Sequence, residues 1–130
     1  MPPLPPLANA ELAVMGLLWE RQRATARQIR EALYADQKNQ HGTVQRLLQR
    51  LEAKGYVHRD VDLPVHIFSA TVSREDYATV QLETLAERLT GGSLAPIMTR
   101  LVEQKRISQA EIDRLRRILD EDGGGGGEER

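Results

Sequence analysis

Cysteine is absent from this chain, which excludes disulfides and thiolate-ligated metals. Aromatic residues are scarce: one Trp, three Tyr and one Phe in 130 residues. That is too few for the stacking platform on which single-stranded nucleic acid is held. No apolar run approaches the ~20 residues of a membrane span, and no positively charged leader precedes an apolar stretch. A cytoplasmic protein without a membrane partner is therefore expected. The chain also lacks a metal-ligand triplet, a glycine-rich phosphate loop and any Ser-His-Asp spacing, so catalysis, cofactors and metals are not expected. His58 and His66 could meet across a hairpin, but two imidazoles fall short of a zinc ligand set. Glu11 and Glu20, near Trp19, read as helix surface.

Neither sign of charge dominates, and the net charge is −1. The distribution is uneven. Residues 1–70 hold nine Lys/Arg against seven Asp/Glu and all three histidines, whereas residues 71–130 hold nine against twelve. For groove binding the location of charge matters more than the total, although an asymmetry this mild carries no conclusion alone.

The chain opens MPPLPPL, whose prolines cannot form a helix interior, so residues 1–8 read as a flexible lead-in. Asn9 is a good N-cap, and Leu12, Met15, Leu18 and Trp19 repeat at helical spacing to about Arg21. A second helix opens with a capping box of Thr25 and Gln28 and buries Ile29, Ala32 and Leu33. After a polar turn, HGTVQRLLQRLEAKG places Val44, Leu47, Leu48 and Leu51 on one stripe, with Gly55 as its stop. The period then changes to alternation: YVHRD and VHIFSA, joined by VDLP, predict a β-hairpin. Three further helices follow. Ser73 and Asp76 open one ended by Gly91 and Gly92, Ser93 caps a short one with Pro96 in its first turn, and Ser108 and Glu111 box the last. From residue 122 onward the glycine-rich end reads as a disordered tail.

Three helices and a hairpin in about 65 residues is the order of a winged helix-turn-helix. The expected fold class is thus mainly α, with a winged helix-turn-helix over 9–71 and a helical region over 72–121. In that architecture the third helix enters the DNA major groove and the wing rests on the backbone or minor groove. Gln45, Arg46 and Gln49 lie on the outward stripe of the third helix. Their side chains match base edges, arginine pairing with guanine and glutamine with adenine. His41 and Thr43 sit at the helix N-terminus, where free N–H groups favour phosphate. Arg50 and Lys54, and His58 and Arg59 in the wing, are candidate backbone contacts. The plainer readings stay open: a solvated Gln/Arg face, a protein-interaction module or non-specific DNA binder of the same fold, or a winged helix that senses a small molecule between its halves. The helices after Ser73 carry more Leu, Ile, Val and Met than they can bury alone, which predicts a two-fold dimer. Two reading helices ~34 Å apart then require an inverted-repeat site on double-stranded DNA.

The segments NAELAVMGLLWE, ATARQIREAL, TVQRLLQRLEAKGYV, HIFSATVSRED, LTGGSLAPIMTRLVE and ISQAEIDRLRRIL occur in that order over Leu7 to Asp120. In this the chain resembles the penicillinase and methicillin-resistance repressors (BlaI/MecI type) and their copper-responsive relatives. The resemblance implies a homodimeric winged-helix repressor that occupies an inverted-repeat operator. It assigns Thr43, Gln45, Arg46 and Arg50 to DNA, and Tyr77, Leu85, Leu89, Ile97, Met98, Leu101, Ile112, Leu115 and Leu119 to the dimer. Gly42-Thr43 replaces the Thr-Thr or Lys-Thr of many relatives, and the absence of cysteine departs from the copper-responsive branch. For the antibiotic-responsive members the resemblance also implies a sensor-linked protease partner, acting here at about Pro96 to Leu101.

Overall fold

The computed structural model describes residues 4–35 and 41–126, with side chains through residue 121. Its elements run α1 (Asn9–Arg21), β1 (Ala24–Thr25), α2 (Ala26–Leu33), α3 (His41–Ala53), β2 (Val57–Asp60), β3 (Ile67–Ala70), α4 (Arg74–Thr90), α5 (Ala95–Glu103) and α6 (Gln109–Gly126). The polar turn expected before α3 lies largely outside the described residues. Two compact units are present, Met1–Leu82 and Glu83–Arg130. Their boundary falls within α4, not at residue 72 as the change of pattern after the wing suggests.

In the first unit α1, α2 and α3 each contribute one apolar stripe. Val14, Met15 and Leu18 of α1, Ile29 of α2 and Val44, Leu47, Leu48 and Leu51 of α3 form a single core with Tyr56, Val57 and Phe68. The helix starts follow their capping chemistry. Thr25 Oγ1 accepts from Gln28 N at 3.1 Å and Gln28 Oε1 accepts from Thr25 N at 2.9 Å. Ser108 and Glu111 make the same reciprocal pair at 3.1 and 2.9 Å, and Ser73 Oγ accepts from Asp76 N at 2.9 Å. At α1 the expected cap is displaced. Ala8, not Asn9, is the flanking residue, and Glu11 Oε1 accepts its N–H at 2.9 Å.

The hairpin is part of a three-stranded antiparallel sheet in the order β1-β3-β2. Ala24 and Thr25 pair with Phe68 and Ile67, a strand too short to show a period in sequence. At the other end of the chain α6 continues through four glycines to Gly126, past residue 122 where the tail was expected to begin. Adding a residue to an existing helix needs no new nucleus, although each glycine costs about 1 kcal/mol relative to alanine.

The Pro-rich lead-in is also not what its composition suggests. Leu4 and Leu7 pack against the core. Pro5 O accepts from Tyr56 Oη at 2.5 Å, Leu4 O accepts from Gln81 Nε2 at 2.8 Å, and Leu7 N donates to Tyr77 Oη at 2.8 Å. Residues 4–8 are therefore anchored, because the proline-interrupted backbone has no helix or ladder to join and finds side-chain partners instead.

Among the described residues one charged side chain, Glu11, is buried. Glu11 is only 2% exposed, and both its oxygens accept from Lys54 Nζ at 3.0 Å. Burial alone would raise this carboxyl. The Ala8 N–H, the Lys54 ammonium and the Arg50 charge outweigh it and hold Glu11 below the ordinary carboxylate range. A depressed pKa contributes stability above the unfolded value and loses it as pH falls through the folded one. Glu11→Gln should accordingly cost ~1–3 kcal/mol at neutral pH, as for a buried charge-assisted pair. In urea titrations the gap between the two proteins should close as pH drops below the carboxylate range. A gap independent of pH would show that the charge on Glu11 contributes nothing.

Candidate nucleic-acid interface

The buried stripe of α3 fixes which side chains face outward. With Val44, Leu47, Leu48 and Leu51 in the core, Gln45, Arg46, Gln49 and Arg50 are exposed. His41 is exposed at the helix start, and Gly42 and Thr43 are half-buried. The outward residues hold one another loosely: His41 and Gln45 meet at 3.1 Å through their ring and amide nitrogens, and Arg46 Nη2 reaches Thr43 Oγ1 at 3.4 Å. Such exposed contacts between neighbouring turns are weak and leave the side chains available to a ligand. Arg46 and Arg50 make no ion pair among the described residues.

The C-terminal end of α3 is pinned. Gly55, at φ 83°, is in the left-handed region that glycine enters cheaply. It lets Gly55 N donate to Glu52 O at 3.0 Å and Tyr56 N to Leu51 O at 2.8 Å, the pair of bonds that closes a Schellman motif. Lys54, expected at a phosphate, is instead held by Glu11. The burial of Glu11 makes that pairing obligatory, since an unpaired buried carboxylate is costly.

An open cleft of about 460 Å³ runs between α3 and the sheet. Its polar lining includes Thr25, Arg27, His41, Gln45, Gln49, Glu52, Arg59 and His66, and its apolar lining Leu48, Pro64, Val65 and Phe68. The sequence does not single out Arg27, and it offers His66 only as a possible metal ligand, not as a DNA contact. Arg27 sits in the first turn of α2, and its lone position there carries no sequence signal. The two wing candidates separate. Arg59 is opposite Phe68 in the β2–β3 ladder and His58 is opposite Ser69. Successive strand residues point to opposite faces. Arg59 thus shares the face of Phe68 and meets Glu52 of α3 at 3.3 Å, while His58 points away from the reading helix. His58 and His66 accordingly do not converge.

The expected dimer residues divide as well. Tyr77 belongs to the first unit. Its ring lies 5.8 Å from Tyr56, edge-on, and 6.1 Å from Trp19, and its hydroxyl accepts from Leu7 N. In the second unit Ile97, Leu101 and Ile112 are half-buried, and Leu85, Leu89, Met98, Leu115 and Leu119 are exposed, Leu89 and Leu119 at 68%. Val102 and Ile118 join them, continuing the same helical spacings. Exposed apolar side chains thus occur on each of α4, α5 and α6 in this unit.

Together these features give an outward Gln/Arg stripe on a helix with a capped C-terminal end, a cleft beside it lined by Arg27, Arg59 and Glu52 among other polar groups, and a wing next to that cleft. The sequence matches a family model described as penicillinase repressor over residues 7–121. It is 26% identical to the penicillinase repressor of Bacillus licheniformis over 121 residues, covering 93% of this chain and 94% of that protein. It is 35% identical to the transcriptional regulator BlaI of Mycobacterium tuberculosis over 117 residues, covering 88% and 83%. Among solved structures, the DNA binding domain of the repressor BlaI superimposes with a TM-score of 0.51 at 25% identity, covering 59% of this chain and 94% of that one. The fold of a DNA-binding domain is thus shared over 59% of the chain and the residue pattern over residues 7–121, and the chain belongs to the penicillinase repressor family.

Proposed function

We propose that this chain is a DNA-binding transcriptional repressor that works as a homodimer on an inverted-repeat operator. The family consists of repressors and not enzymes, and the first unit has the fold of a DNA-binding domain. The observation that carries the reading is the outward face of α3, where Gln45, Arg46, Gln49 and Arg50 are exposed opposite a wholly buried stripe. A B-DNA major groove admits one helix, and these side chains have the donors and acceptors its base edges present. The N-terminus of α3, with His41 and Thr43, would lie at a phosphate. Arg59, Arg27 and His66, around the cleft, would follow the adjacent backbone.

The uncovered Leu, Met, Val and Ile of the second unit support a two-fold partner, since a second copy offers the same apolar surface in complementary register. A cleavage region carried over from the antibiotic-responsive repressors would fall at about Pro96 to Leu101, inside α5. A helix keeps its backbone in internal hydrogen bonds, so a protease partner would have to capture a locally opened form.

Two measurements test this reading. Arg46→Ala should weaken operator binding by more than it weakens random-duplex binding at the same salt, a lost base contact costing ~1–3 kcal/mol of discrimination. An equal loss on both DNAs would reassign Arg46 to phosphate. Leu115→Asp should give monomers in sedimentation velocity, because the new carboxylate would be buried unpaired at the interface. A dimer that survives the substitution would put the interface elsewhere.

A further inference from the structure

The reading helix turns one edge toward the cleft. His41, Gln45, Gln49 and Glu52 follow one another at three- and four-residue intervals, so they share a stripe of α3, and all four line the cleft. The first three suit DNA. Glu52 does not: it is the one carboxylate among the described residues that line the cleft, on a wall where a negatively charged backbone would pass. Its partner is Arg59 of β2, whose Nε lies 3.3 Å from Glu52 Oε2. The two come from different elements of the same compact unit. The other arginine of the cleft is engaged differently. Arg27 pairs at 3.2 Å with Glu31, one turn along its own helix, and Glu31 is not part of the cleft lining. Releasing Arg27 thus leaves no carboxylate behind in the cleft, whereas releasing Arg59 does.

We propose that Glu52 is a built-in competitor for Arg59: it occupies the guanidinium in the free protein, and a DNA phosphate must displace it before the wing can dock. This rests on the DNA-binding reading above. The Arg59 and Glu52 side chains are 41% and 37% exposed, and an ion pair so exposed is worth little because water screens it. Phosphate can therefore open it, since charge-assisted bonds from arginine to phosphate are strong and bidentate where geometry allows. Displacement still has a cost. Every complex in which Arg59 reaches phosphate loses the Glu52 contact and leaves that carboxylate facing the duplex. Glu52 accordingly limits how tightly the wing holds DNA. A different role, a brace that holds the wing against α3, has the opposite consequence. Removing a brace weakens binding, and removing a competitor tightens it.

The test measures the affinity of the full chain for a labelled random-sequence duplex and for its selected operator at one fixed salt concentration. Glu52→Gln keeps the size and polarity of the side chain and removes its charge. It should tighten operator binding by about two- to fivefold, the range an exposed ion pair covers. Random-duplex binding should tighten by no more than that, because a duplex that never reaches Arg59 leaves the pair closed. Arg59→Ala should weaken operator binding and make the fall of log affinity with log salt shallower by about 0.9, the share of one phosphate contact. Combined with Arg59→Ala, Glu52→Gln should bring a gain of less than about twofold, since the two side chains act as a pair. Combined with Arg59→Lys, which retains a cation, the gain should return, and this variant keeps the proposal testable if Arg59→Ala disturbs the hairpin. A Glu52→Gln protein that binds operator no more tightly would overturn the proposal, and weaker binding would identify a brace. An equal gain with and without Arg59 would also overturn it, because the loss of one negative charge would then explain the effect. If the unaltered chain binds neither duplex, the DNA-binding reading itself fails, and that outcome is visible without any variant.

Discussion

Tyr56 is the residue on which the other placements depend. Its backbone N–H closes the end of α3, its carbonyl accepts from Thr71 N at 2.9 Å, and its ring is wholly buried against Tyr77. Its hydroxyl then donates to Pro5 O of the N-terminal segment. One residue thus joins the reading helix, the wing, the start of α4 and the N-terminal segment. Buried tyrosine is suited to this because the ring supplies large apolar burial and the hydroxyl still finds a partner. The conformation that brings it there needs a left-handed residue immediately before it, and Gly55 supplies that.

Charge is used sparingly in the same spirit. A chain with a net charge of −1 cannot rely on a general cationic field. Glu11 holds Lys54, so this lysine serves the fold, while the exposed Arg59–Glu52 pair is weak enough to open to a phosphate. Arg46 and Arg50 remain outside these pairs. A protein with few phosphate contacts has a shallow salt dependence and a small non-specific affinity, which leaves more of its selectivity to base contacts.

Much of this was legible in the sequence because it is written in short-range chemistry. The Thr25–Gln28 and Ser108–Glu111 boxes, the Gly55 stop and the buried stripe of α3 all depend on residues a turn or two apart. What was not legible depends on distance in the chain or on parity. The N-terminal segment looks like a tail because its partners lie 51 to 77 residues away. Lys54 looks like a phosphate contact, and its pairing with Glu11, 43 residues earlier, is not written in the local sequence. His58 and Arg59 look alike, and only the register of β2 on β3 sends them to opposite faces. The helical spacing at Tyr77 likewise does not announce its packing on Trp19 and Tyr56.

The most direct measurement is selection of the purified full chain against a random duplex library near physiological salt, with the retained DNA sequenced. A repressor that reads bases through α3 as a dimer predicts enrichment of an inverted repeat, with half-site centres about one helical turn, or a multiple of it, apart. Retention of DNA without any motif, lost steeply as salt rises, would contradict base reading by α3 and leave only a backbone-binding protein.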